Sequence, residues 1–141
     1  MRVIYCRSRN LGSLLIRRAI WSSWSHEGIV TPEGTVIDAR MAYGVCERPI
    51  DELLAEVSKW AYREWPVPDE RAALAWARAQ VGKRYDYLGA LGMGLRRDWG
   101  DPACLLCSEV VEGALQAGGR HRWAHHVERV TPQLSWMVAC A

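Results

Sequence analysis

The chain has 141 residues, a length that fits one domain. Its composition, with 50% hydrophobic and 24% charged residues, excludes a disordered chain. The net charge of +2 is too small to indicate nucleic-acid binding, and no apolar run approaches the ~20 residues of a transmembrane helix. Residues 1–20 lack the uninterrupted apolar region of an export signal, and the five cysteines are an odd number. We therefore expect a cytoplasmic protein with free thiols, in one domain over residues 1–141.

The N-terminal half has the pattern of short strands joined by turns. In chain order, the predicted elements are a strand at residues 2–6, a helix at 14–20, two hairpin strands at 25–30 and 35–39, a strand at 41–48, a helix at 50–55 and a strand at 57–67. The Pro-Glu-Gly sequence after Thr31 favours the hairpin turn, and Trp, Tyr and Val favour a strand for the last segment.

The C-terminal half predicts helices. Asp69 is a suitable N-cap for a helix through about Val81, with Gly82 as its stop, and residues 85–89 form a turn or short helix. A second helix is expected over residues 103–117, after which the tail returns as a strand. Together the two halves predict an α+β fold, with a small antiparallel sheet packed against helices.

Cys107 is placed near the start of the last predicted helix. The first turn of a helix presents unpaired N–H groups and the positive end of the helix dipole. Both favour a thiolate, which is the nucleophilic form of cysteine. The competing interpretation is a small buried core residue, because free cysteine is among the most buried residue types.

His26 and Asp38 lie on the two strands of the predicted hairpin, twelve positions apart. Strand–turn–strand geometry can bring their side chains side by side on one face. A carboxylate beside an imidazole fixes its tautomer and stabilises its cation, and the imidazole can then activate a cysteine. The pattern therefore indicates a Cys–His–Asp site, against the alternative that His26 and Asp38 have structural or solvated roles.

The order of the motifs resembles the circularly permuted branch of the NlpC-type papain-like cysteine peptidases and amidases (YiiX-like), in which a histidine hairpin precedes the cysteine helix. The segments that carry the resemblance are Ser25–Val30, Val36–Ala39, Gly82–Gly89 and Cys107–Val111. The resemblance implies a permuted papain-like fold and a thiol hydrolase or acyltransferase with a peptide, amide or acyl substrate and no cofactor. The chain departs from the family pattern in having Leu106 where an aspartate precedes the cysteine.

The same resemblance implies roles for individual residues. Cys107 corresponds to the nucleophile, His26 to the general base and acid, and Asp38 to the third polar residue. Tyr85 falls where the family has a tyrosine of the oxyanion site, with Tyr87 close enough to leave the choice open.

The sequence leaves three alternative interpretations open. The spacing of Cys104, Cys107, His121 and His125 (or His126) also satisfies that of a two-Cys, two-His zinc site, although a helix separates the pairs. A histidine within residues 121–126 could replace His26 as the base. A third reading is a non-catalytic papain-like scaffold, a structural or interaction protein encoded by a phage or prophage.

Overall fold

Five strands form one antiparallel sheet in the computed structural model, which describes residues 1–8, 22–90, 101, 103–123 and 130–138. The strands of this sheet are β1 (Arg2–Ser8), β2 (His26–Val30), β3 (Thr35–Arg40), β4 (Gly44–Pro49) and β5 (Val57–Glu64). A two-stranded parallel sheet consists of β6 (Arg84–Tyr85) and β7 (Cys104–Leu105). The helices are α1 (Ile50–Glu56), α2 (Glu70–Ala79), α3 (Cys107–Ala117) and α4 (Pro132–Met137).

The order of the large sheet is β4-β3-β2-β1-β5, so the predicted histidine hairpin lies inside it. Its turn closes where Gly34 adopts a positive φ of 81°, and the Thr31 N–H donates to the Thr35 carbonyl at 2.9 Å. β1 pairs with β2 on one side, with Cys6 opposite His26, and with β5 on the other. The strand that begins with His26 is thus held along both edges.

Alternation along the strands gives the sheet two apolar faces. One face packs against α2 and α3, and its sheet residues are Val3, Tyr5, Ile29, Ile37 and Ala39. The other packs against α1, and its sheet residues are Ile4, Cys6, Val30 and Val36. Successive residues of β2 therefore enter different environments, and His26 shares the face of Val30 while Glu27 shares that of Ile29.

The small parallel sheet connects the start of α3 to β4. Gly82 donates from its N–H to the Val45 carbonyl at 2.9 Å, and the Val45 N–H donates to the Lys83 carbonyl at 2.8 Å. The approach is close at Gly44, whose φ of 72° and proximity to the Lys83 carbonyl leave no room for a Cβ atom. This connection places Tyr85 and the start of α3 next to the turn between β3 and β4.

Within the described residues, the predicted elements agree with the structure apart from shifts of up to three residues at element ends and the differences that follow. The helix expected from Ala103 begins at Cys107, because Cys104 and Leu105 pair with β6 instead. The tail forms helix α4 rather than a strand, because Thr131 caps it and Pro132 occupies its first turn. Residues 41–43 form a turn before β4, and Arg84 and Tyr85 form the strand β6, which was not predicted. The helical residues 87–90 agree with the turn or short helix expected there.

The helix predicted at residues 14–20 lies outside the described residues. Within the described part of the chain, no helix has both the length and the apolar content needed to cross a membrane.

Candidate active site

His26 and Asp38 are in direct contact on the α1 face of the sheet. Asp38 lies opposite Gly28 in the β2–β3 pairing, and the absence of a Cβ at Gly28 leaves space for the carboxyl group. The Nε2 atom of His26 donates to Asp38 Oδ2 at 2.8 Å. The Asp38 side chain is fully buried, whereas 15% of the His26 side chain is exposed. The imidazole therefore separates the carboxylate from solvent.

Cys107 approaches the same imidazole from α3. It is the first residue of that helix, its residue exposure is 8%, and it lines the same cavity as His26. Because Asp38 takes Nε2, Nδ1 is the ring nitrogen left for the sulfur. Burial opposes a charged imidazole, but the bonds to Asp38 and Cys107 and the attraction of their negative charges raise the pKa of His26 to about 10.

The start of α3 is capped without a polar N-cap side chain. Leu106 stands at the N-cap, and its N–H instead donates to the carboxylate of Glu109 at 2.6 Å. This bond supplies half of a capping box. The helix can therefore begin at Cys107 although Leu106 has no side-chain acceptor.

Asp38 has two further partners that sequence reasoning missed. Arg48 Nη2 donates to Asp38 Oδ2 at 2.9 Å, and the Cys46 thiol donates to Oδ1 at 3.5 Å. Burial opposes ionisation of Asp38, but its bonds and charge interactions with His26 and Arg48 outweigh burial and lower its pKa to about 2. The sequence signal that could have pointed to Arg48 is that it is an arginine in the predicted strand directly after the hairpin.

A cavity of about 250 Å³ opens beside this group, with His26, Cys107 and Tyr85 in its wall. Burial, followed by the negative charge of Cys107, raises the pKa of Tyr85, so the phenol keeps its proton at neutral pH. Tyr87 is 55% exposed, and its hydroxyl donates to the Met41 carbonyl. Of the two tyrosines, Tyr85 is the one that lines the cavity.

The other described cysteines are free thiols in less favourable environments for a thiolate. Burial raises the pKa of Cys6 to about 12 and that of Cys46 to about 11, with Asp38 adding to both. Burial and the neighbouring Asp101 also raise the pKa of Cys104. Each of these three thiols is therefore protonated at neutral pH.

The structure does not bring the proposed zinc ligands together within the described residues. Cys107 lines the cavity with His26, the Cys104 thiol lies 3.7 Å from Asp101 Oδ2, and His121 is exposed and outside the cavity lining. His125 and His126 lie outside the described part of the chain. Among the residues that are described, no three His, Cys, Asp or Glu side chains are grouped to hold a metal ion.

A second buried polar cluster lies on the opposite face of the sheet. Glu27 Oε2 accepts from the Ser135 hydroxyl of α4 at 2.7 Å, and Ser135 also contacts Tyr5 OH at 2.9 Å. Arg122 Nη2 donates to the same hydroxyl at 2.9 Å and pairs with Glu112, which is fully buried. Burial, with a smaller effect of Glu112, raises the pKa of Glu27 to about 8.

Fold and site together define an α+β protein in which a five-stranded antiparallel sheet carries a His–Asp pair beside a helix-initiating cysteine. No family model matches the sequence, and no curated protein is similar to it. Among solved structures, the fold is similar to that of the metalloprotein yiiX from Escherichia coli O157:H7, DUF1105, with a TM-score of 0.64 and 24% sequence identity.

The similarity covers 83% of this chain and 64% of the yiiX chain, so this chain spans less than two thirds of that protein. It supports the expectation of a YiiX-like α+β fold. The papain-like relationship and the roles of the site residues stay predictions.

Proposed function

We propose that this protein is a cysteine-dependent hydrolase or acyltransferase, acting on an amide or peptide bond through an acyl-enzyme on Cys107. The observation that carries the proposal is the position of the His26 ring, which donates to Asp38 at 2.8 Å and lines the same cavity as Cys107. An ionised carboxylate behind the ring stabilises the imidazolium, and the imidazolium and the helix N-terminus both favour the thiolate.

The reaction follows from these contacts. The Cys107 thiolate attacks the carbonyl carbon of the substrate, and the developing oxyanion accepts hydrogen bonds from the Tyr85 hydroxyl and the Cys107 N–H. His26 gives its proton to the leaving group, so the carbon–leaving-group bond breaks and a thioester remains. The neutral imidazole then takes a proton from water or another acceptor, which attacks the thioester and releases the acyl group.

The yiiX protein is described as a metalloprotein, but the residues described here do not fit a metal centre, since no three potential ligands are grouped among them. No step of the proposed reaction passes through a metal. A zinc site that uses Cys104 and Cys107 would occupy the sulfur that the proposal needs free.

The test is residue-resolved labelling of the folded protein with iodoacetamide, read by peptide mass spectrometry. At about pH 6, more than two units below the ordinary thiol pKa of ~8.5, we expect Cys107 to react first. Cys104 is the matched internal control, since it lies three positions away and its pKa is raised. His26→Ala should slow labelling of Cys107 by roughly 10²-fold or more while the fold is retained.

Three results would contradict the proposal. The first is equal labelling of all five cysteines, which fits the non-catalytic scaffold. The second is one equivalent of zinc in the purified protein whose removal is needed for labelling. The third is turnover of a peptide-amide or thioester library that survives Cys107→Ala.

A further inference from the structure

Arg48 is a buried cation placed behind the His–Asp pair. Only 6% of its side chain is exposed, and it lies on β4 opposite Val36 of β3. Val36 precedes Asp38 by two residues, so the two share one face of β3. One end of its guanidinium donates to Asp38 Oδ2 at 2.9 Å. The other end donates to Glu56 Oε2 of α1 at 3.1 Å.

The bond to Asp38 falls on the oxygen that also accepts from His26. Oδ2 therefore has two donors, the imidazole Nε2 at 2.8 Å and the guanidinium Nη2 at 2.9 Å. An aspartate held by the imidazole alone could rotate about its side-chain torsions. Here the guanidinium, which is also bound to Glu56 of α1, restrains the position of Oδ2, and the Cys46 thiol contacts Oδ1.

The anchor at Glu56 is itself held. Arg40 Nη2 donates to Glu56 Oε1 at 2.7 Å, so Glu56 bridges two arginines with its two oxygens. The resulting chain of contacts runs from His26 through Asp38 and Arg48 to the end of α1. A buried ion pair is weak evidence for stability by itself, because desolvation offsets much of the attraction. The contact of Arg48 with the carboxylate that binds the imidazole indicates a role in orienting that pair.

We propose that Arg48 is a positioning residue, which holds Asp38 in the orientation that directs Nδ1 of His26 at Cys107. This inference rests on the proposed function, because the orientation matters only if the imidazole exchanges protons with the sulfur. Arg48 also lines the cavity, but its guanidinium is bound to Asp38 and Glu56, so the role that we assign to it is exerted through Asp38.

The two effects of removing Arg48 have opposite signs. If Arg48 acted solely as a positive charge near His26, Arg48→Met would remove a repulsion and raise the midpoint of the His26 titration. If it positions Asp38, its loss releases the carboxylate, weakens the bond that stabilises the imidazolium and lowers that midpoint. The direction of the shift therefore separates positioning from simple electrostatics.

The experiment is a ¹⁵N NMR titration of the histidine rings in the full chain, with His26→Gln used for assignment among four histidines. In Arg48→Met we expect the His26 midpoint to fall by about one pH unit or more, and Cys107 alkylation to slow roughly 10²-fold. Arg48→Lys keeps the charge but cannot reach both carboxylates, so it should fall between Arg48→Met and the parent.

The matched control is Arg122→Met, which removes another buried arginine paired with a carboxylate, on the other face of the sheet. It should lower stability without moving the His26 midpoint. Should Arg48→Met fail to fold, Glu56→Gln loosens the anchor at a side chain that is 49% exposed, and a smaller fall of the midpoint is expected.

An unchanged or raised midpoint in folded Arg48→Met or Glu56→Gln would overturn the inference. So would a fall of equal size in Arg122→Met. The proposed function fails separately, if Cys107 of the parent protein shows no selective labelling. The His26 titration needs no substrate and still reports whether Arg48 orients the pair.

Discussion

His26 and Glu27 are neighbours in sequence, yet they enter two buried ionic clusters on opposite faces of one sheet. Each cluster combines an arginine with carboxylates, Arg48 with Asp38 on one face and Arg122 with Glu112 on the other. The first opens through His26 into a cavity. The second is closed, because Glu27 and Glu112 are both fully buried.

The difference shows how access and charge balance decide protonation. Arg48 and His26 both neutralise Asp38, so the pKa of this buried carboxyl is lowered to about 2. Arg122 is paired with Glu112 and is also the positive charge near Glu27. Burial outweighs its attraction and raises the pKa of Glu27 to about 8. At neutral pH the open cluster thus carries an ionised aspartate behind an imidazolium, whereas the closed cluster keeps a neutral Glu27. In the proposed reaction, the first arrangement is the one that offers charge to a reacting group.

The largest expected effect comes from removing the carboxylate charge in each cluster. Asp38→Asn leaves Arg48 with the half-exposed Glu56 as its carboxylate partner, and Glu112→Gln removes the carboxylate bound to Arg122. Each should lower the free energy of unfolding by roughly 3–5 kcal/mol, measured in urea. In addition, Asp38→Asn should slow Cys107 alkylation roughly 10²–10⁴-fold, because the imidazolium loses its partner. Equal slowing in Glu112→Gln would remove the functional distinction between the clusters.

The pH dependence of stability sharpens the same contrast. The pKa of Glu27 is raised from 4.5 to about 8, so the native state holds a proton that the unfolded state has lost, and stability falls as pH rises through this window. His26, raised from 6.5 to about 10, adds a loss of stability at higher pH, and Asp38, lowered from 3.8 to about 2, adds one in acid.

Between about pH 5 and 6.5, the titration of Glu27 therefore accounts for most of the change in the free energy of unfolding. Over that range the parent should lose about 2 kcal/mol, at ~1.4 kcal/mol per pH unit for one proton. Glu27→Gln should flatten this slope in urea unfolding at the two pH values. A slope that persists in Glu27→Gln would assign the proton to another group.

The smallest expected effects are at glycines of the hairpin. A Cβ at Gly28 would lie 2.8 Å from Val36 Cγ2 and 3.1 Å from Asp38 Cβ, so Gly28→Ala should displace β3, cost about 1–3 kcal/mol and slow Cys107 alkylation roughly tenfold. Gly34→Ala is the control, since its Cβ meets no atom within 4 Å and the positive φ alone costs about 1–2 kcal/mol. Alkylation at the parent rate in Gly28→Ala would show that the His–Asp spacing tolerates displacement.

The hairpin and the two long helices were accessible from sequence because local signals determine them. The turn before Thr35, the cap at Asp69 and the glycines after Ala117 each act within a few residues. The boundary at Cys107 was missed because Cys104 and Leu105 pair with β6, about twenty residues earlier, and such pairing leaves no local mark. The α4 helix was missed although its signal, Thr131 before Pro132, was present.

By itself the sequence determined the α+β class, the order of the strands along the chain and three residues worth bringing together, Cys107, His26 and Asp38. Hydrophobic periodicity and helix caps depend on residues close together in the chain, so the sequence alone is enough to predict them. The tertiary structure decided that His26 binds Asp38 and shares a cavity with Cys107, that Arg48 also binds Asp38, and that Glu27 is buried on the opposite face. These depend on sheet register and on how α1 and α3 pack across it, which join residues remote in sequence through burial and charge.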